Sequence, residues 1–276
     1  MSLFIAALNS GSNGNCYYVG NNTEAVLIDV GISCREVEKR LLRLNLSIKN
    51  IKAIFISHEH SDHITGLEAL SSKHNLPVYV TEDTHKIGRL SINQNLVQYF
   101  STNQRVNIGS LTVKAFSKLH DACDPHSFIV SDHTDTCIGI FTDIGKACEQ
   151  VIYHFKQCHA VFLEANYDDA MLAAGNYPFF LKRRISGGKG HLSNTEALEL
   201  FCTHRSEKLS HLILSHLSKN NNDPQLVEQI FMRYADKIKI VVASRYSETE
   251  VFHITHSPVK AKEIFYLKEA VQLSMF

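Results

Sequence analysis

The chain has 276 residues, 44% of them hydrophobic, and its 28 basic side chains balance 28 acidic ones. That length supports a substantial core, as one large domain or two fused halves. Zero net charge excludes the strong basic field that marks many nucleic-acid binders, although a local basic patch would suffice.

Residues 3–8, 15–20 and 24–30 read as short strands joined by turns. The opening residues 1–6 lack a basic region ahead of their apolar residues, so they read as strand rather than signal peptide. The first turn, residues 9–15, is rich in Asn, Gly and Ser; it is equally a plain hairpin turn or a backbone site for an anion. Ser33 caps a helix over 34–45 with Leu41, Leu42 and Leu44 on its apolar side. An apolar strand over 51–56 leads to the dense stretch S-H-E-H-S-D-H at 57–63, followed by a helix through about 73. A strand at 76–80 and a short helix from Glu82 come next; His74 and His85 have no partner spacing and are expected at the surface. Strands follow over 97–100, 106–108 and 111–116, and the last of these runs on to His120. Two paired strands, 127–130 and 136–141, lead to Asp143.

A strand over 160–164 ends at Glu164 in an acidic segment, and 168–174 reads as helix until Pro178 breaks it. Residues 179–191 then hold Lys182, Arg183, Arg184 and Lys189 with three glycines ahead of His191. That segment is either an exposed basic loop or a phosphate-binding one. A helix over 193–203, a strand over 211–216 ending in His216, a helix from Asp223-Pro224 to about 235, and strands near 238–243 and 250–255 complete the chain. Seven scattered cysteines without a C-x-x-C spacing read as buried reduced thiols. No apolar run reaches the roughly 18 residues of a membrane helix, so a soluble cytoplasmic protein without a membrane partner is expected. One domain spanning 1–276 is expected too, since no linker interrupts the chain.

Residues 57–63 carry the chemistry. Imidazole and carboxylate suit borderline divalent metals such as Zn²⁺. His58 and His60 are two apart and face the same way on an extended segment. Asp62 and His63 follow the turn and face elsewhere, which suits two adjacent ions better than one. A second pattern supports duplication: Ile28-Asp29-Val30-Gly31 recurs as Thr142-Asp143-Ile144-Gly145 in the form strand, Asp, small apolar, Gly.

The H-x-H-x-D-H spacing resembles the signature of the metallo-β-lactamase superfamily. That resemblance implies a four-layer αββα sandwich of two similar ββ halves. It implies His58, His60 and His120 for one ion and Asp62, His63 and His216 for the other, with Asp143 bridging; His126 and His211 are the rivals for the last two histidine positions. Asp29 would support the histidine loop rather than bind metal; its alternative is a helix cap, as it is for Asp143. The cofactor implied is a pair of divalent ions, Zn²⁺ or else Mn²⁺, sharing an activated hydroxide that attacks the bound ester. The stretches 10–16, 163–168, 190–194 and 215–222 resemble the YycJ/WalJ group, associated with 5′-to-3′ exonuclease activity on double-stranded DNA. The blocks around Glu164, His191 and His216 are also similar to tRNase Z. That match makes His191 the proton donor to the leaving alkoxide and Glu164 its orienting carboxylate, with Asp62 at the catalytic centre. Only 73 residues (216 − 143) separate Asp143 from His216, too few for a β-CASP insertion on the order of 200 residues. DNA would therefore be held near the metals by Lys182, Arg183, Arg184, Lys189 and Lys219. The alternative within the fold is a small-molecule hydrolase, a thioesterase or cyclic phosphodiesterase. A scaffold without catalysis would have no use for seven ligand positions.

Overall fold

A computed structural model describes residues 2–256. Its strands are β1 (Ser2–Asn9), β2 (Cys16–Gly20), β3 (Ala25–Ile28), β4 (Ile51–Phe55), β5 (Val78–Val80), β6 (Val97–Tyr99), β7 (Arg105–Ile108), β8 (Leu111–Ser117), β9 (His126–Ser131), β10 (Cys137–Phe141), β11 (Ala160–Glu164), β12 (His211–Ser215), β13 (Lys239–Val242) and β14 (Phe252–Thr255). They form two seven-stranded sheets, ordered β14-β1-β2-β3-β4-β5-β6 and β13-β12-β11-β10-β9-β8-β7. In the first sheet β1, β2 and β3 are antiparallel and β3 to β6 parallel. In the second, β8, β9 and β10 are antiparallel and β10 to β13 parallel. The two sheets therefore repeat one topology, and β3 corresponds to β10. The strand-Asp-x-Gly repeat read from the sequence sits at that correspondence.

The helices are α1 (Cys34–Arg43), α2 (Ser61–Ile64), α3 (Leu67–His74), α4 (Glu82–Ile87), α5 (Glu149–Phe155), α6 (Asp169–Ala174), α7 (Phe179–Ser186), α8 (Asn194–His204) and α9 (Pro224–Met232). Parallel strands joined by helical crossovers must bury both faces, so they read as continuous apolar runs rather than alternations. β3 and β11 are buried at every position. Between the sheets, Tyr17, Phe55, Phe128 and Phe162 form the central core. Outside the first sheet, Val37 and Leu41 of α1 and Leu67 and Leu70 of α3 pack on Leu27 and Ile54. Outside the second, α5, α8 and α9 contribute Phe155, Phe201 and Phe231. The layers run helix, sheet, sheet, helix, as expected. Each fully buried Phe contributes roughly 1.5–3 kcal/mol of transfer free energy.

Helix starts follow side-chain chemistry. Ser33 accepts from the Glu36 amide at 3.3 Å, Ser193 and Glu196 form a reciprocal capping box, and Asp223 caps a helix whose first residue is Pro224.

Several expectations are corrected. α1 ends at Arg43, and Leu42 is 76% exposed instead of lying on the apolar side. The helix after the histidine loop is two pieces, broken at Thr65 and Gly66. α9 stops at Met232. His85 is buried and hydrogen-bonds Tyr99 Oη at 2.9 Å, because α4 turns it onto the sheet. His74 is half-buried against Glu38, 2.7 Å away. Residues 179–186 are helix, not loop: Pro178 breaks the preceding helix but fixes the entry to the next one.

His154 on α5 is buried and stacks on Phe116, with ring centroids 4.3 Å apart. Burial, then the nearby Lys114, pushes its pKa down to about 4. The unfolded chain holds this imidazole near its ordinary value of about 6.5. Below that pH the unfolded state takes up a proton that the folded state refuses. Stability is therefore lost as pH falls from about 6.5 towards about 4. His154→Phe should lose less stability across that window than the wild type in thermal melts; parallel melting curves would contradict the assignment.

Candidate metal centre

The site lies at the carboxyl ends of the central strands, where connections leave both sheets. After β4 the chain extends to His58 and His60, and His60 then starts α2, which carries Asp62 and His63. His120 follows β8, Asp143 follows β10 and His216 follows β12. Asp29, Asp143 and His216 take left-handed backbone conformations, with φ of 61°, 54° and 56°. Such residues cost on the order of 1–3 kcal/mol each and collect at functional sites.

The side chains converge in two groups. His58, His60 and His120 form one, and Asp62, His63 and His216 the other. His58 Nε2 lies 3.1 Å and His120 Nε2 3.4 Å from His60 Nδ1. His63 Nε2 is 3.6 Å and His216 Nε2 3.4 Å from Asp62 Oδ2. Asp143 reaches both groups, with Oδ2 at 3.1 Å from His63 Nε2 and Oδ1 at 3.8 Å from His120 Nε2.

The opposite ring nitrogens explain the arrangement. Ser57 Oγ donates to Asp29 Oδ2 at 2.8 Å and so accepts from His58 Nδ1, also at 2.8 Å. His63 Nδ1 donates to Asp29 Oδ2 at 2.7 Å, His120 Nδ1 to the Gly190 carbonyl at 2.9 Å, and His216 Nδ1 to Glu164 Oε1 at 2.8 Å. Each of these bonds occupies Nδ1 and turns Nε2 into the site. Nε2 of His58, Nε2 of His120 and Nδ1 of His60 then face one another. Asp143 Oδ2 and His216 Nε2 are buried without a hydrogen bond. Unsatisfied polar atoms in a buried site are costly, and a divalent cation in each group, displacing any proton there, resolves both. The residues present therefore fit two borderline metal ions.

Charge follows the same division. Burial drives His58 well below its ordinary pKa and His120 down to about 4. Burial acts on His63 and His216 as well, but carboxylates outweigh it. Asp143, Asp29 and Asp62 hold His63 well above its ordinary value, and Asp143, Asp62 and Glu164 raise His216 to about 10. A cation entering the second group must displace protons that these carboxylates hold there.

Glu164 is fully buried at the end of β11, where burial alone would raise its pKa. His191 and His216 outweigh burial and bring it down to about 2. Its Oε1 accepts from His191 Nδ1 at 2.9 Å as well as from His216, and its Oε2 accepts from the Ile144 and Leu192 amides at 2.7 and 3.1 Å. One carboxylate thus orients both His216 of the second group and His191. The His191 ring centre is 5.4 Å from that of His120 and 5.2 Å from that of His216, beside ligands of both groups.

The rival readings separate cleanly. His126 hydrogen-bonds Thr102 Oγ1 at 2.7 Å and packs against Phe100. His211 lies at the start of β12, 2.9 Å from Ser210 Oγ. Asp29 accepts from Ser57 and His63 while Ser33 caps α1, and Cys148, not Asp143, precedes α5. Of the basic residues, Arg184 pairs with Asp121 at 2.5 Å and Lys182 donates to the Ala173 carbonyl at 2.6 Å. Those two are engaged, whereas Arg183, Lys189 and Lys219 are exposed. A separate Cys34, Glu38 and His74 cluster lies between α1 and α3, where Lys73 already meets Glu38 at 2.7 Å. The seven cysteines are all free, but only Cys16 and Cys158 are buried and Cys202 is exposed. None of the helices among the described residues is long and apolar enough to cross a membrane.

Three contributors escaped sequence reasoning. Asn15 donates to Asp62 Oδ2 at 3.2 Å, and its amide takes the Asp62 carbonyl at 2.7 Å. The Asn- and Gly-rich first turn therefore braces the metal loop. Ser10 Oγ accepts the His216 amide at 2.8 Å. Lys118 is buried and donates to the Thr142 carbonyl at 2.7 Å, which steadies the backbone before Asp143. Gly31 is the hinge of this packing: a Cβ there would stand 1.7 Å from the Asp62 carbonyl and 2.5 Å from the Asn15 amide nitrogen. Gly31→Ala should push the turn and metal loop apart, costing a few kcal/mol, on the order of the larger point-mutation effects. Melting and metal content should both fall; an unchanged metal content would show that the contact is dispensable.

Residues 10–136 match the model of the metallo-β-lactamase superfamily. A Bacillus anthracis protein named exodeoxyribonuclease YycJ is 34% identical over 231 residues, covering 82% of this chain and 86% of the relative. The Streptococcus pneumoniae serotype 2 protein named exodeoxyribonuclease WalJ is 30% identical over 227 residues, covering 79% of this chain and 83% of the relative. Among solved structures, the metallo-β-lactamase fold protein YhfI from Bacillus subtilis superposes with a TM-score of 0.69 at 14% identity, over 92% of this chain and all of that one, which speaks for the fold alone. Similarity of that extent to YycJ and WalJ, on this fold, places the chain in the metallo-β-lactamase superfamily, within the YycJ/WalJ group.

Proposed function

We propose that the chain is a dinuclear metal-dependent phosphodiesterase that degrades DNA as a 5′-to-3′ exonuclease. The observation that carries this reading is the Glu164–His191 pair beside both ligand groups. Two bound divalent ions, Zn²⁺ or Mn²⁺, would supply a water activated at neutral pH and neutralise charge on the phosphoryl oxygens.

The remaining chemistry belongs to the chain's own residues. Phosphodiester cleavage expels an alkoxide, which must be protonated as it leaves. His191 Nδ1–H donates a hydrogen bond to Glu164, so Nε2 is free to carry the proton for the leaving oxygen, and the fixed carboxylate stabilises the charged ring. A thioester releases a thiolate, which needs no such donor. The basic segment adjoins the site rather than standing apart: the Gly190 carbonyl holds His120, and Arg184 pairs with Asp121 beside it. Arg183, Lys189 and Lys219 are left to meet phosphates. The YycJ and WalJ relatives are named as exodeoxyribonucleases, which favours DNA over a small ester.

The test is a substrate panel: 5′-labelled duplex DNA, single-stranded DNA, RNA and a thioester, each with Zn²⁺ and with Mn²⁺. The reading expects duplex DNA to be shortened progressively from its 5′ end. Turnover of the thioester alone would replace it with the small-molecule hydrolase.

A further inference from the structure

Helix α7 is an anomaly in this fold. None of its residues is buried, yet it opens with two adjacent phenylalanines, Phe179 at 79% and Phe180 at 72% exposure. Helices on globular proteins normally turn such residues inward, and adjacent exposed rings mark an interaction surface. The surroundings indicate what that surface meets. Residues 170–195 contain Lys182, Arg183, Arg184 and Lys189 and no carboxylate. Residues four apart share a helix face, so Phe179 lies above Arg183 and Phe180 above Arg184. Arg184 pairs with Asp121 at 2.5 Å, and Asp121 Oδ1 lies 3.4 Å from His120 Nε2. From Phe180 the path to a metal-ligand histidine thus crosses only Arg184 and Asp121. At the other end of α7, the His191 amide bonds to the Ile185 carbonyl at 2.8 Å. A rise of about 1.5 Å per residue sets Phe180 only about 7.5 Å along the axis from Ile185, roughly the reach of one or two nucleotides.

We propose that Phe179 and Phe180 form a stacking platform for unpaired bases next to the scissile phosphodiester, with Arg183 and Lys189 against the backbone phosphates. Exposed aromatic rings beside cations are how proteins hold single strands without reading sequence, since every base has a stackable face. An exonuclease acting on a duplex must part the terminal pairs before the strand reaches the metals, and rings at this position hold the parted bases. The inference rests on the phosphodiesterase reading and adds its strand-holding surface.

The experiment compares full-length wild type with Phe179→Ala/Phe180→Ala, Phe180→Leu and Phe180→Tyr. Binding of a single-stranded oligonucleotide carrying 2-aminopurine is measured alongside KM and kcat on DNA. The double alanine variant should keep the wild-type melting temperature, because both rings are exposed. It should bind the oligonucleotide about tenfold more weakly or worse, with the loss in KM rather than kcat and without quenching of 2-aminopurine. Phe180→Tyr should retain binding and Phe180→Leu should not. Unchanged affinity in the double variant would overturn the platform. So would a leucine that serves as well as phenylalanine, since that indicates apolar docking rather than stacking. Conversion of a wild-type dimer to a monomer by the double variant, with DNA binding intact, would reassign the face to contact between copies. A wild type that hydrolyses bis(p-nitrophenyl) phosphate but neither binds nor cleaves DNA would instead remove the DNA reading itself.

Discussion

His191→Ala is expected to slow phosphodiester cleavage by roughly 10²–10⁴-fold while leaving the metal content of the protein unchanged. His191 clusters with Asp143, Glu164 and His216, but through the Nδ1 that Glu164 already holds, and it belongs to neither the Asp62 group nor the His60 group, so its loss should spare both ions. In the proposed reaction it gives a proton to the leaving oxygen from a ring that Glu164 holds at 2.9 Å. The loss should therefore depend on the leaving group. A diester that expels nitrophenolate needs little protonation and should be cleaved nearly as fast by the variant as by the wild type. DNA, which expels an alkoxide, should show the full loss. A uniform loss across both substrates would indicate that His191 positions the substrate instead of donating a proton. Glu164→Gln is a less discriminating variant, because that carboxylate also holds the ligand His216 at 2.8 Å.

Asp62→Ala should lower bound metal towards one ion per chain and bring activity down with it. Asp62 touches only the second group, through His63 and His216. The first group, held by Ser57 and Gly190, should keep its ion. Asp62 is the better choice than His63 for this purpose. Removing the His63 ring would also strip the buried Asp29 of its 2.7 Å partner, and breaking a buried pair costs about 3–5 kcal/mol. Elemental analysis of the purified variant checks the outcome. Two ions per chain in Asp62→Ala would contradict the division into two groups.

Much of the convergence of these side chains was legible in the sequence. His58, His60, Asp62 and His63 lie within one loop, so their short spacing brings them together. His120, Asp143 and His216 each follow an apolar strand. The Asp29 and Asp143 repeat was legible because a duplicated topology places both after equivalent strands. The supporting contacts were not legible. Asn15 meets Asp62 across 47 residues and Ser10 meets His216 across 206, and no local pattern encodes contacts at such separations. Helix α7 was missed for a different reason: with no buried residue it lacks an apolar stripe, and its glycines and cations read as loop. His85 was misplaced because its burial depends on the sheet beneath α4, where it meets Tyr99 of β6.

The most direct test is the rate of cleavage of 5′-labelled duplex DNA measured against the number of metal ions bound per chain. The protein is stripped with a chelator and then titrated with Zn²⁺ or Mn²⁺. Cleavage should stay low up to about one ion per chain and rise steeply as the second ion binds. Full activity with one ion, or no cleavage of DNA with two bound, would contradict the proposed function.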